Sequence, residues 1–133
     1  MQKMPPLTAI LSVAALSLSA CATTAREAPL SDGRDVRLGE RAFVDGPIVQ
    51  PVEVLEDSRC PANARCIWAG WVRVKMLWLR PTGEKQPFEV TLGETTPLAD
   101  GAIRLEAVRP KKATGSTIKP GDYRFSLRFD GGY

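Results

Sequence analysis

Tyr123-Arg124-Phe125-Ser126-Leu127-Arg128-Phe129 alternates apolar and polar side chains in strict period two from end to end. Successive side chains of a strand point to opposite faces, so this run has one face for a core and one for water. A second run, Trp71 to Leu79, sets Val72, Val74, Met76 and Trp78 against Arg73, Lys75 and Leu77. Shorter runs repeat the pattern: Phe88, Val90 and Leu92; Ile103, Leu105 and Ala107; Ile48, Val52 and Val54, where Pro51 marks an edge or a bulge. Val36, Leu38, Ala42 and Val44 share a further face, interrupted by Glu40. Gly, Pro and Asp separate the runs, and no segment after the N-terminal region keeps a 3.6-residue period. About six or seven short strands in roughly 100 residues predict an all-β domain, a small antiparallel β-sandwich or barrel.

Composition narrows the chemistry. The 133 residues are 44% hydrophobic and 25% charged, enough for one domain. A net charge of +3 is too small to imply nucleic acid. No histidine occurs, which removes Ser-His-Asp and Cys-His nucleophile activation and histidine zinc sites together. Neither a Ser-x-x-Lys nor a Gly-x-Ser-x-Gly pattern is present, and Asp32-Gly33-Arg34-Asp35 lacks the dense carboxylates of a calcium loop. No cofactor, no metal and no enzymatic activity are therefore expected.

The N-terminus reads as a targeting segment: Lys3 is a short positive region, Leu7 to Leu18 is apolar or small, and Ser19-Ala20 precede Cys21. Pro5-Pro6 and the many Ser, Thr and Ala leave the apolar part short of the roughly 20 residues a bilayer core requires. Leu18-Ser19-Ala20-Cys21 resembles the lipobox of bacterial lipoproteins. The resemblance implies a signal peptide over 1–20, lipid on Cys21, a tether over 21–32 and a single β domain over 33–133. Lipoproteins with Asp after the cysteine tend to stay in the inner membrane; Ala22 here implies the outer membrane, facing the periplasm. The eleven residues from Ala22 to Asp32, at no more than about 3.6 Å each, would hold the domain within roughly 40 Å of the bilayer.

Lipid on Cys21 would leave Cys60 and Cys66 as a pair, and an oxidising envelope favours a structural disulfide between them. A redox-active pair usually has Cys-x-x-Cys spacing, and a metal site would need further ligands, so both are weaker alternatives. Around the pair stand Asp57-Ser58-Arg59-Cys60-Pro61 and Cys66-Ile67-Trp68-Ala69-Gly70. This stretch resembles a family of small, functionally uncharacterised bacterial exported proteins and lipoproteins sharing a DSRCP, four residues, C-x-W-A-G signature. The resemblance implies an envelope location and a β-rich domain, and no known activity.

The motif itself admits two roles. As a brace, Asp57 and Ser58 accept backbone hydrogen bonds, Arg59 pairs with Asp57 or a loop carbonyl, Pro61 fixes φ, Gly70 permits a close backbone approach and Trp68 lids the disulfide. As a ligand surface, Asp57, Arg59, Arg65, Trp68 and Trp71 would combine charge with aromatic faces. The basic stretch Arg109 to Asp122 reads as a solvated loop, or as a contact for anionic lipid or envelope polymers. The expected function is a non-catalytic, lipid-anchored envelope domain that binds a protein or glycan or is structural. The alternative is a small envelope hydrolase or thiol-redox protein using Asp57 and Ser58 or the Cys60 and Cys66 pair.

Overall fold

The structure, a computed structural model, describes residues 2–4, 6 and 29–131. The expected signal peptide after residue 6, Cys21 and the tether before Pro29 lie outside the described residues. Seven strands follow: β1 (Ala42–Phe43), β2 (Ile48–Asp57), β3 (Val72–Leu79), β4 (Lys85–Thr91), β5 (Thr95–Leu98), β6 (Gly101–Arg109) and β7 (Arg124–Gly131). They form two antiparallel sheets, ordered β1-β2-β3-β4 and β5-β6-β7. Of the two expected architectures, the sandwich is the one found; the sheets do not close into a barrel. No helix among the described residues is long and apolar enough to cross a membrane.

The strongest alternations fold as read. Tyr123, Phe125, Leu127 and Phe129 are all buried, as are Val72, Val74 and Met76, and Trp78 packs partly against them. These two inward faces meet across the sandwich, where each fully buried large apolar side chain contributes about 1.5–3 kcal/mol. The weaker runs deviate at bulges. On β2 Val49 and Pro51 go inward in place of Ile48 and Val52, and the shift in pairing with β3 between Pro51 and Glu53 then reverses the alternation, so that Val54 packs against the core as expected. On β6 the register shifts between Leu105 and Ala107, so Val108 takes the buried place expected for Ala107. An extra residue in one strand turns every later side chain to the other face.

The run Val36 to Val44 is not a continuous strand. Gly39 adopts a positive φ of 81° in a turn, and only Ala42–Phe43 pairs with β2. Val36, Ala42 and Val44 are nevertheless buried. This segment laces one side of the sandwich: Ser31 bonds to Arg41 and Phe43, and Val36 exchanges two backbone bonds with Phe125 of β7. Among the described residues hydrogen bonding thus begins at Ser31, inside the stretch read as tether. On the other side Leu92 bridges Leu105 of β6.

The topology gives the domain two poles. Ser31 lies beside Phe43, which pairs with Ile48 at the start of β2. Asp57, at the other end of β2, pairs with Val72. Ten strand residues at about 3.3 Å each separate the two poles by roughly 30 Å. The Cys60 to Trp71 motif belongs to the pole far from the chain's entry.

Candidate functional site

The motif is the end of the β2–β3 hairpin. Beyond the Asp57–Val72 pair, the Ser58 amide donates to the Trp71 carbonyl at 2.9 Å and the Cys60 amide to the Ala69 carbonyl at 3.2 Å. The Ser58 hydroxyl donates to the same Trp71 carbonyl and accepts from the Trp71 amide. Cys60 and Cys66 are disulfide-bonded, with Cα atoms 5.8 Å apart, which closes the tip. Gly70 makes the narrowing possible: its φ is 68°, and a Cβ there would lie 1.8 Å from the Ser58 carbonyl oxygen.

Beneath the tip sits a polar cluster. Arg59 grips the Asp57 carboxylate with both Nε and Nη2, each at 2.8 Å, and its Nη1 donates to the Val108 carbonyl at 3.1 Å. The Tyr123 hydroxyl donates to Asp57 Oδ2 at 2.8 Å, and Lys112 Nζ donates to the Asp57 carbonyl at 2.6 Å. The Asp57 and Arg59 side chains are only 9% and 14% exposed, so this fork is largely desolvated. Burial alone would raise the Asp57 pKa, but the hydrogen bonds from Arg59 and Tyr123 and the Arg59 charge outweigh it and hold the carboxyl below its ordinary range. Burial and the neighbouring Asp57 carboxylate push the Tyr123 phenol up to about 12. The Asp57 hydrogen bond raises the Arg59 pKa.

The basic stretch is docked on this tip. The Ala62 amide donates to the Lys112 carbonyl at 2.8 Å, and Asn63 Oδ1 accepts from both the amide and the hydroxyl of Thr114. Lys112 is thereby half-buried, while Lys111, Lys119 and Arg65 remain exposed. Arg109, at the base of the stretch, pairs with Asp35.

The two roles read from the motif fall to different residues. Asp57 and Arg59 turn inward and bind each other, while Ser58 bonds the Trp71 backbone and Gly70 lets the two arms of the hairpin close. Ile67, Trp68 and Trp71 are 92%, 80% and 52% exposed. A Trp68 lid packed over the disulfide is overturned by that exposure, and the charged pair Asp57 and Arg59 is not assembled with the aromatic faces. Trp68 and Trp71 instead line, with Ser58, Cys66, Ile67, Ala69 and Gly70, an open groove of about 900 Å³. A smaller concavity of about 440 Å³ at the opposite pole includes Ile48, Leu79 and Trp78, with the Arg80 guanidinium 4.9 Å from the Trp78 ring.

Tyr123, Lys112 and Asn63 were not singled out by the sequence. Tyr123 did carry a signal: a tyrosine on an otherwise wholly apolar inward face needs a partner for its hydroxyl. Lys112 and Asn63 carried none, since their bonds join loops distant in sequence. Among the described residues no group of three or more His, Cys, Asp or Glu is placed to hold a metal ion. No family model, curated protein or solved structure matches the chain.

Proposed function

We propose that this protein is a lipid-anchored domain of the bacterial cell envelope that binds rather than catalyses, and that it binds through the tip of the β2–β3 hairpin. The observation that carries the reading is the exposure of Ile67, Trp68 and Trp71 on a loop closed by a disulfide and held from below by the Asp57, Arg59 and Tyr123 cluster. Large apolar side chains on a rigid support lose little conformational entropy on binding, and tryptophan is enriched among the residues that anchor protein interfaces.

The hydrolase alternative fares worse on the same geometry. The Asp57 carboxylate is engaged by Arg59 and Tyr123 and its pKa is lowered, which makes it a poor general base. The Ser58 hydroxyl is engaged with the Trp71 backbone rather than with a base. A glycan is also a weaker occupant than an apolar surface, because Ser58 is the only side-chain hydroxyl, amide or charge lining the groove and it is engaged already.

Two measurements test the reading. Mass spectrometry of protein from its native envelope should find Cys21 as an acylated N-terminus; an unmodified thiol there rejects the anchor. A photoreactive residue at position 68 should cross-link to a defined envelope component, and one on exposed Lys75 of β3 should not. Equal yields at both positions reject the tip as the binding surface.

A further inference from the structure

We propose that the hairpin tip docks on an anionic phospholipid bilayer, with Ile67 and Trp68 entering the headgroup region and a collar of cations engaging the phosphates. The proposal rests on the tip being the binding surface and names its occupant.

Charge selects that occupant. The two loops that build this pole, residues 58–71 and 109–122, carry Arg59, Arg65, Arg109, Lys111, Lys112 and Lys119 against the single carboxylate Asp122. Arg59 and Arg109 are paired with Asp57 and Asp35, which leaves Arg65, Lys111 and Lys119 exposed on these two loops, with Lys111 beside Cys60 and Ala62 of the tip. Their neighbourhood is fixed by the docking of Lys112 and Thr114 on Ala62 and Asn63, which joins the two loops into one surface. Exposed tryptophan beside basic residues suits a membrane interface, where the ring sits at headgroup level and each cation is drawn to the anionic surface. The same charge opposes a second copy of this chain, since two tips would bring like-charged collars together.

Chain length permits it. The chain enters at Ser31, near the opposite pole, and ten residues from Cys21 to Ser31 reach at most about 36 Å. A domain roughly 30 Å between poles can therefore lie lengthwise on the bilayer that holds Cys21, attached at one end by lipid and at the other by the tip. Attachment at both poles fixes the domain's orientation, whereas the tether alone would leave it free to turn.

The test follows Trp68 fluorescence in the full chain reconstituted in vesicles of phosphatidylglycerol and phosphatidylcholine, in a Trp71→Phe, Trp78→Phe background. On anionic vesicles Trp68 emission should shift to the blue and its quenching by the neutral aqueous quencher acrylamide should fall about threefold or more, and about 0.5 M salt should reverse both. Replacing Arg65, Lys111 and Lys119 together by Gln should abolish the difference between anionic and pure phosphatidylcholine vesicles. The wild-type chain, read by quenching of all three tryptophans, gives a second measurement independent of those substitutions: part of its emission should become protected on anionic vesicles only. Quenching unchanged between the two vesicle types overturns the proposal. Protection that appears only on adding delipidated envelope protein overturns it too, in favour of a protein occupant, while leaving the tip as the binding surface.

Discussion

The Tyr123 hydroxyl donates to Asp57 Oδ2 at 2.8 Å, joining the first inward residue of the β7 run to the last residue of β2. The same oxygen accepts from Arg59 Nη2, so one carboxylate ties the two sheets and the hairpin tip together. Asp57→Ala should therefore lower stability by about 2–3 kcal/mol, because it strands a nearly buried guanidinium and a phenol. Tyr123→Phe should cost about 1 kcal/mol, since it removes one donor and leaves the Arg59 fork in place. Urea unfolding of the two variants checks both values and their order.

The cluster gives stability a definite pH dependence. Asp57 has a folded pKa below its ordinary value of 3.8, so its contribution is complete above that value and is lost as pH falls through the folded pKa. The stability gap between the wild type and Asp57→Asn should be constant near neutrality and close in acid below about pH 4. Tyr123 shifts the other way: its contribution is complete below 10.0 and is lost as pH rises through about 12. In a Tyr133→Phe background, ultraviolet titration should show Tyr123 ionising near 12 while the protein stays folded.

Gly70→Ala should be among the most damaging small substitutions. A Cβ at φ 68° would sit 1.8 Å from the Ser58 carbonyl oxygen, so the Ser58–Trp71 rung must open to admit it. The expected loss is about 2–4 kcal/mol. Gly83→Ala, also at positive φ but with open space around it, should cost about 1 kcal/mol. Chemical denaturation of both variants separates the clash from backbone strain alone.

Removing the disulfide with Cys60→Ala and Cys66→Ala should cost about 2 kcal/mol, the loop-closure value for cysteines 6 positions apart. The core should survive, because none of its buried residues lies within the loop of residues 58–71 that the disulfide closes. Thermal unfolding checks the size of the loss, and amide exchange should show it concentrated in residues 58–71.

Legibility in the sequence follows from how local each determinant is. The β7 and β3 alternations are complete within the strands, and their inward faces are as read. A bulge hides the face of a strand: on β2 Ile48 and Val52 are misplaced and Val54 is as read, because the alternation reverses after Pro51, and on β6 the sequence between Leu105 and Val108 is equally compatible with Ala107 or Val108 facing inward. For the motif, Asp57 with Arg59 and the close approach at Gly70 were readable because the partners are near in chain or in hairpin register. The links to Tyr123, Val108 and Lys112 depend on packing one sheet against the other. The exposure of Trp68 was also hidden, because tryptophan beside a disulfide is as consistent with a lid as with a free tip.

The measurement that bears most directly on the division between brace and tip is the urea unfolding free energy of Trp68→Ser against the wild type. With 80% of Trp68 exposed, the variant should match the wild type within about 0.5 kcal/mol. A loss of about 2 kcal/mol or more, comparable with that expected for Asp57→Ala, would show that Trp68 is packed to hold the hairpin and would contradict its role as a binding anchor.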